Sequence, residues 1–476
     1  MQRIVHLDFN FLMRKKSLYR GLLKEFADMG YNAILWEIED KVQWKCMPHC
    51  VHPDAFTRDE LKEHVAFARS LGFEIIPLLQ TMGHAEYVLR GEKFAHLREL
   101  PDRVDCYCVS KPEVRELLSA WIEEYLELFG DVKDFHLGGD EAYCFGKCPV
   151  CAEAVAGKGH LGFAMDHLSV LAGLLQQKGI RPNIWADMVL QHREEVSANL
   201  ERLRKFRIWD WHYSRVRDEE FGSLDILNEF GLDAVPCSAV SAWGDCLWCP
   251  LPHRAENAAA TARQAVKRGL SGYCTTSWTV RMLDYGVQKP FFALAPAAEC
   301  YPEKDTQSLL TEILEPVFSS ETAGPDYLKM VSSAAQAFPL STVHSLGVGL
   351  NGKFHESVPA GWLAERLQKP EENLSAEQYG QVSAALKAAE ALLDTFPAGS
   401  ELYRSWKTAI AFAFRIAVLS RAVSEGDAAG LEQALKDVLA DREMTSGRFE
   451  KCSERDYWST LTGAVRDYLT GLRDRK

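Results

Sequence analysis

Residues 134–151 read DFHLGGDEAYCFGKCPVC, and this stretch decides how the first part of the chain folds. It begins as a short apolar strand, passes through Gly138 and Gly139, and then presents the adjacent acids Asp140 and Glu141. Glycine accepts backbone conformations that other residues avoid, so the two glycines predict a sharp turn at the end of a strand. An acidic pair directly after a strand is typical of the loops on which α/β barrels carry their chemistry.

The same order of strand and helix repeats on both sides of this stretch. Eight short runs are separated by helical sequence: RIVHLDF, AILWEIED, FEIIPLLQ, DFHLGG, GIRPNIWAD, FRIWDWHY, LDAVPCS and LSGYCTTSW. Capping signals support the helices, among them the capping-box pattern from Thr57 to Glu60. Eight repeats predict an α/β fold, a (β/α)8 TIM barrel, over residues 1–350. A doubly wound sheet is the alternative, but no glycine-rich phosphate-binding sequence follows the first strand.

Beyond about residue 360 the strand signals stop and helical sequence takes over. Ser375 precedes an alanine-rich helix, and residues 401–420 have the apolar spacing of a second helix. We therefore predict a C-terminal α-helical domain, a small bundle over residues 360–476. It packs on the barrel or provides a homo-oligomer contact.

Composition limits the classes of partner. The chain has 476 residues, of which 47% are hydrophobic and 25% charged, as in ordinary globular proteins. A net charge of −13 argues against nucleic acid and against an anionic membrane surface. No stretch approaches the roughly 18 apolar residues that a membrane span needs, and the start MQRIVHLDF lacks the pattern of a signal peptide. A cytoplasmic location is the expectation.

The adjacency of Asp140 and Glu141 limits the reactions that they can perform. A nucleophile and an acid on opposite sides of a sugar usually come from different strands and lie about 5 to 5.5 Å apart. Neighbours on one turn suit another division of labour, in which one carboxyl protonates a leaving oxygen and the other positions the substrate. A solvated turn or a helix N-terminus is the alternative interpretation of the pair.

A resemblance becomes visible when the pieces are taken in chain order. HLGGDE at 136–141 resembles the signature of family 20 glycoside hydrolases, the β-N-acetylhexosaminidases. The wider pattern is similar to the single-barrel, hexosaminidase D-like branch: VHLDF at 5–9, WEIED at 36–40, IIPLLQTMGHAEYVLR at 75–90 and WADM at 185–188. The resemblance implies an amino-sugar glycoside as substrate and no cofactor for catalysis.

The resemblance also implies a mechanism in which the 2-acetamido group of the sugar attacks the anomeric carbon, as in the substrate-assisted families. Asp140 would hold the acetamido nitrogen, and Glu141 would act first as acid and then as base. His84 matches the loop histidine after the third strand, although a buried core histidine is the alternative.

Further substrate-binding candidates follow from the same resemblance. Trp185, Trp209 and Trp278 would wall the acetamido pocket, with barrel core as the alternative, and Asp187 would bind a hydroxyl. Some positions depart from the family pattern. An expected arginine on the first strand is replaced by a segment containing Asp8, and an expected tyrosine after the seventh strand by one containing Trp243 and Asp245. Tyr143 completes the candidates, and the choice between N-acetylgalactosamine and N-acetylglucosamine stays open with a lean to the galacto sugar.

The 13 cysteines suggest a second kind of chemistry. Cys148 and Cys151 have the spacing of half a zinc site, and Cys46 and Cys50 form a second close pair in the loop after the second strand. These four residues predict a structural zinc site. Free thiols or a redox pair are the alternatives. Cys246 and Cys249 form another pair with the same gap, Cys106 and Cys108 follow the third strand, and Cys144 or His49 could replace a ligand.

Two other functions remain open from the sequence. A metal-dependent hydrolase would use His6, Asp8 and His84 as ligands on the same barrel. A non-catalytic amino-sugar-binding protein would explain the altered hydroxyl-binding positions, although it leaves the retained acidic pair without a role.

Overall fold

The computed structural model describes residues 1–9, 13–242, 249–278, 285–337 and 373–440, together with positions 450, 466 and 469–471. Its centre is a closed barrel whose eight strands follow one another in chain order. The strands are β1 (Gln2–Asp8), β2 (Ala33–Glu37), β3 (Glu74–Leu78), β4 (Asp134–His136), β5 (Arg181–Trp185), β6 (Arg207–Trp211), β7 (Asp233–Ser241) and β8 (Gly272–Ser277). The strand pairs are parallel, and β8 pairs with β1 to complete the circle. The predicted (β/α)8 barrel is confirmed.

Helices separate the strands as the sequence pattern predicts. They are α1 (Tyr19–Asp28), α2 (Arg58–Ser70), α3 (Glu86–Leu89), α4 (Pro112–Phe129), α5 (Pro149–Lys158), α6 (His160–Gln176), α7 (Asp187–Gln191), α8 (Arg193–Leu203), α9 (Gly222–Glu229) and α10 (His253–Lys267). The capping box of α2 forms: the Glu60 backbone N–H donates to the Thr57 hydroxyl at 3.2 Å, and the Thr57 N–H donates to the Glu60 carboxylate at 2.8 Å. Helix α5 was not predicted, because it buries only Cys151 and so has no apolar stripe.

Strand β4 is shorter than the DFHLGG pattern suggests. It ends at His136, because the backbone turns through left-handed conformations with φ of 68° at Gly138 and 98° at Gly139. The φ of 68° at Gly138 strains any residue with a side chain, and a Cβ atom there would also lie 3.1 Å from the Gln80 Cα, so glycine is favoured at this position. The turn predicted from the two glycines is therefore present, and it delivers Asp140 and Glu141 at the carboxyl end of the barrel strand.

The chain divides into two compact units, each described by itself. Among the described residues the first unit holds 1–238 and 260–276, and the second holds 239–259, 277–337 and the C-terminal part from 373. The predicted boundary at 350–360 lies outside the described residues. The helices of the second unit are α11 (Tyr285–Cys300), α12 (Thr306–Phe318), α13 (Ala323–Ala335), α14 (Ala376–Leu393), α15 (Glu401–Glu425) and α16 (Ala428–Ala440). Because α11–α13 belong to this unit, it begins earlier in the chain than the predicted bundle.

Two buried aromatic residues organise the second unit. The Trp406 indole N–H donates to the Tyr327 hydroxyl at 2.8 Å, and that hydroxyl donates to the carbonyl of Val287 at 3.3 Å. These bonds connect α15, α13 and α11. The predicted cap of α14 is also present, since the Ser375 hydroxyl accepts from the Gln378 N–H at 3.2 Å. The homo-oligomer contact of these helices stays a prediction. Within the part of the chain that the structure describes, no helix has the length and apolarity needed to cross a bilayer.

Candidate active site

The acidic pair after β4 meets a histidine from the loop after β3. His84 Nε2 lies 3.4 Å from Asp140 Oδ2 and 3.4 Å from Glu141 Oε2. The Asp140 side chain is buried at 8% exposure, whereas the Glu141 side chain is 34% exposed. One imidazole nitrogen thus faces both carboxylates, and of the two acids Glu141 is the one that solvent reaches.

The backbone around this triad is held in unusual conformations. His84 and Glu141 have φ of 50° and 43°, in the left-handed region that residues other than glycine rarely adopt. Gly83 permits the close approach of the two loops, because a Cβ atom there would lie 2.5 Å from the Asp140 carbonyl oxygen. Backbone strain of this kind concentrates at functional sites. The sequence analysis did not single out Gly83, although it stands directly before the candidate histidine.

The charges of the triad shift its pKa values in opposite directions. Burial opposes a charge on His84, but the negative charge of Asp140 and hydrogen bonds to both acids outweigh burial and hold the pKa of the imidazole well above its usual value. For Glu141 burial acts to raise the pKa, but hydrogen bonds from His84 and Tyr143 outweigh it and lower the pKa. In the free protein near neutral pH, the proton therefore resides on His84 and Glu141 is ionised.

This electrostatic arrangement can be tested without substrate. We expect histidine NMR titration of the wild-type protein to give His84 a pKa above 6.5, with the signal assigned from its loss in His84→Gln. Asp140→Asn should lower that pKa, because it removes the largest favourable charge. Asp131→Asn, at an exposed position, is the matched control and should leave it unchanged. An unshifted His84 pKa in Asp140→Asn would contradict the arrangement.

The raised pKa of His84 also determines how its contribution to the stability of the fold changes with pH. Because the pKa of His84 is raised on folding, its contribution is fully present below the unfolded value of about 6.5 and is lost as pH rises through the folded value. Glu141 acts in the opposite sense. Its lowered pKa stabilises the fold above about pH 4.5 and less as pH falls through the folded value.

Asp187 and Trp211 extend the site across the ends of β5 and β6. The Trp211 indole N–H donates to Asp187 Oδ2 at 2.7 Å. Burial, followed by the charge of Asp140, raises the pKa of Asp187 to about 7, against the lowering effect of this hydrogen bond. The sequence analysis named Trp209 as a candidate and did not name Trp211. The signal was available, since residues two apart on a strand face the same side and Trp211 lies one step nearer the carboxyl end.

Trp185 and Trp209 lie in the barrel interior. They are 1% and 0% exposed, and their rings pack against His136 with centroid distances of 4.4 Å and 5.0 Å. The Trp209 indole N–H donates to Asn183 Oδ1 at 2.8 Å. The burial of both side chains agrees with the barrel-core alternative, and their role in sugar binding stays a prediction. Trp211 is partly exposed.

The remaining sugar-binding candidates lie at several strand ends. Asp8 ends β1 and is buried, and its negative charge acts on Glu39, whose pKa is raised well above its usual value first by burial and then by Glu37. Tyr143 is exposed and bonds the Glu141 carboxylate through its hydroxyl.

Three candidates belong to the segments that follow β7 and β8. Trp278 directly follows β8, and its backbone N–H donates to the Ser241 carbonyl at 3.1 Å. Trp243 and Asp245 lie outside the described residues.

The predicted zinc ligands divide into two separate groups. Cys148 and Cys151 gather with Cys108 and Glu99, whose ligand atoms all lie within 4.8 Å of one another. Cys46 and Cys50 are not in this group, and this corrects the predicted ligand set. The loop after β2 instead packs on α4, where Glu124 accepts from the N–H groups of residues 45 and 46 at 2.7 and 3.0 Å.

The Cys50 thiol lies near the Val88 carbonyl, at 3.9 Å. Because β3 and β4 are neighbours, the loop after β3, and not the loop after β2, reaches Cys148 and Cys151.

The residues of the alternative metal hydrolase do not converge. His6 Nε2 lies 3.1 Å from Glu37 Oε2, and His84 faces the acidic pair. Among the described residues, the groups of three or more ligand atoms close enough to share an ion are the Glu99 group and one at 192–195. Neither contains His6, Asp8 or His84, so the geometry does not favour this function.

Part of the barrel is similar to a known family of proteins. Residues 33–234 match the family model "Glycosyl hydrolase family 20, catalytic domain", a segment that includes Asp140 and Glu141. The predicted resemblance is thereby confirmed.

Two curated proteins to which the chain is similar carry the name Hexosaminidase D. The chain is 28% identical over 216 residues to Hexosaminidase D of Bos taurus, covering 44% of this chain and 62% of that protein. It is also 28% identical over 220 residues to Hexosaminidase D of Homo sapiens, covering 44% of each. The matched part thus spans less than two thirds of the length of these relatives.

A solved structure supports the fold. The X-ray structure of Flavobacterium johnsoniae chitobiase aligns with a TM-score of 0.52 at 14% identity, covering 98% of this chain and 78% of that one.

Proposed function

We propose that this protein is a retaining, exo-acting β-N-acetylhexosaminidase that removes terminal β-linked N-acetylgalactosamine or N-acetylglucosamine. The observation that carries the proposal is the contact of one imidazole nitrogen with both Asp140 and Glu141, at 3.4 Å each. The family 20 match and the Hexosaminidase D relatives support the same substrate class.

The geometry of the acidic pair supports a nucleophile that comes from the substrate. A retaining glycosidase with two enzyme carboxylates places them on opposite sides of the sugar ring. Asp140 and Glu141 are adjacent in sequence and share His84, so both approach the sugar from one side. This arrangement supports a nucleophile supplied by the substrate, in which the carbonyl oxygen of the 2-acetamido group attacks the anomeric carbon and forms an oxazolinium ion. Two displacements at that carbon return the original configuration.

The side chains of Asp140 and Glu141 differ in solvent exposure, and this difference suggests a separate role for each acid. Glu141, with its partly exposed side chain, donates a proton to the glycosidic oxygen and later accepts one from the attacking water. Asp140 is buried, and no group among the described residues donates a hydrogen bond to its Oδ1. A buried acceptor of this kind suits the acetamido N–H, and its negative charge offsets the positive charge that develops on that nitrogen.

His84 supplies the proton that Glu141 lacks in the free protein. With the proton on His84 and the carboxylate 3.4 Å away, a shift along this contact gives the protonated acid when the sugar displaces water. Asp187, with a pKa of about 7, and Trp211 form the adjacent wall. The indole face suits the apolar side of a sugar and the acetyl methyl group. No step uses a cofactor.

Substrates with a progressively fluorinated acetamido group test the proposal. Fluorine withdraws electrons from the amide oxygen, so we expect kcat to fall at each step from acetamido to trifluoroacetamido. A glycoside with a 2-hydroxyl in place of the amide should react at least about 10⁵-fold more slowly, because it loses an intramolecular nucleophile. The galacto and gluco forms, measured in parallel, report the sugar preference.

A control separates binding from chemistry in this series. A thiazoline analogue of the oxazolinium ion should inhibit competitively, because the site is complementary to that intermediate. Equal rates across the fluorinated series, or trapping of a covalent glycosyl-enzyme, would refute amide participation.

A further inference from the structure

The cysteines that follow the catalytic loop form a compact four-residue group with a carboxylate. Cys108 Sγ lies 3.7 Å from Cys148 Sγ and 3.6 Å from Cys151 Sγ. Glu99 Oε2 lies 3.2 Å from Cys151 Sγ. Glu99, Cys108 and Cys151 are buried and Cys148 is half-buried. We propose that these four residues bind a structural zinc ion that connects the two loops carrying the catalytic groups.

The spacing of the atoms is that of a tetrahedral site. Zinc binds thiolate sulfur at about 2.3 Å, so two sulfurs of one tetrahedron lie about 3.8 Å apart. The measured separations of 3.6 and 3.7 Å match this edge. A carboxylate oxygen at about 2.1 Å from zinc gives an oxygen–sulfur edge of about 3.6 Å, and a small adjustment brings the Glu99 oxygen to this distance.

Charge supports the same conclusion. Glu99 is buried, and among the described residues no Lys, Arg or His forms an ion pair with it. Buried charges are usually paired or coordinate a metal, and a divalent cation would balance this carboxylate and the thiolates beside it. Sulfur-rich tetrahedral sites favour zinc among the common metals. Four protein ligands close the coordination shell, which is typical of a structural site.

The second carboxylate oxygen is also used. Glu99 Oε1 accepts from the Cys148 N–H at 2.8 Å, which fixes the orientation of the carboxylate. Supporting hydrogen bonds of this kind accompany the ligands of most metal sites. The Ser110 hydroxyl lies 3.0 Å from Cys151 Sγ and gives the sulfur a further polar partner.

The four residues come from the two loops that carry the catalytic groups, so a bound ion would connect these loops. Glu99 and Cys108 belong to the loop after β3, and Cys148 and Cys151 lie at the start of α5, after β4. The loop after β3 returns next to His84, because the Tyr107 N–H donates to the Met82 carbonyl at 3.0 Å. A bound ion would thus fix the loop of His84 against the loop of Asp140 and Glu141.

Metal analysis of the full chain, purified without chelator, tests the proposal. We expect about one zinc per chain in the wild type and a loss to near zero in the Cys108→Ser, Cys151→Ser double variant. The Cys46→Ser, Cys50→Ser double variant is the matched control and should retain the metal. Replacement of zinc by cobalt should give the thiolate-to-cobalt absorption and the visible bands of tetrahedral cobalt in the wild type and in this control.

A milder variant guards against failure of the double variant to fold. Glu99→Gln keeps the size of the side chain but removes its charge, so zinc should pass to a competing chelator faster than from the wild type. Glu92→Gln, at an exposed position of the same loop, should behave as the wild type. Folded wild-type protein that holds neither zinc nor cobalt would overturn the proposal. So would freshly purified protein whose Cys108, Cys148 or Cys151 is in a disulfide.

Discussion

Replacing Glu141 with glutamine should lower kcat by roughly 10²- to 10⁴-fold for a β-N-acetylhexosaminide with an alkyl leaving group. Glutamine has no acidic proton that it can transfer to the glycosidic oxygen, so the alcohol must leave as an alkoxide. The loss should be much smaller for a dinitrophenyl leaving group, which departs without a proton. Steady-state rates for a series of leaving groups therefore measure the role directly, as a steeper dependence on leaving-group pKa in the variant.

Added azide separates the second role of Glu141 from the first. Azide attacks the oxazolinium ion without needing a base, so with an activated substrate it should restore turnover in Glu141→Gln and give the β-glycosyl azide. Glu229→Gln, at an exposed position of α9, is the control for a general effect of removing a carboxylate. An equal loss for all leaving groups, with no effect of azide, would assign Glu141 a positioning role only.

The parts of this site that the sequence predicted are those fixed by local pattern. Gly138 and Gly139 indicated the turn after β4 because only glycine adopts their backbone conformation without strain, and the structure has positive φ at both. Buried β-branched runs indicated the strands, since parallel strands are covered on both faces. Asp140 and Glu141 were therefore placed correctly at a strand end before any contact was known.

The features that the sequence did not predict depend on contacts between distant segments. Cys108 and Glu99 lie 40 and 49 residues before Cys148 in the chain, and only the course of the loop after β3 brings them to it. Cys46 and Cys50 had equally suitable spacing, but their loop packs on α4. Spacing within one loop identified two members of the clustered group, and the topology of neighbouring strands brings the other two to them.

The tryptophans of β6 are a second case in which the sequence pattern did not select the residue that makes the contact. The predicted strand FRIWDWHY contained both Trp209 and Trp211, and the resemblance favoured Trp209. In the structure Trp211 ends β6 and donates to Asp187. Residues two apart on a strand face the same side but lie in different layers, so the sequence pattern identified the face of β6 and did not single out Trp211.

Replacing Asp140 with asparagine should lower kcat by about 10²- to 10³-fold, the usual cost of removing one preorganised electrostatic contact to the transition state. Asparagine can still accept the acetamido N–H, but it carries no charge to offset the positive nitrogen of the oxazolinium ion. At a pH low enough to keep His84 protonated in both proteins, leaving-group dependence should stay close to that of the wild type, in contrast to Glu141→Gln, because Glu141 is retained as the proton donor. Stopped assays with the fluorinated acetamido series should show a flatter dependence on amide nucleophilicity in the variant.

The thiazoline inhibitor distinguishes this role from a general disturbance of the site. If Asp140 stabilises the oxazolinium ion, Asp140→Asn should weaken thiazoline binding by a factor similar to its loss in kcat/KM and should leave binding of the N-acetylhexosamine product less affected. Because Asp140 also raises the pKa of His84, the variant should lose part of its activity at a lower pH than the wild type. Asp131→Asn controls for surface charge. Parallel loss of product and thiazoline affinity would show that Asp140 only shapes the pocket, and the nitrogen of the substrate would then need another partner.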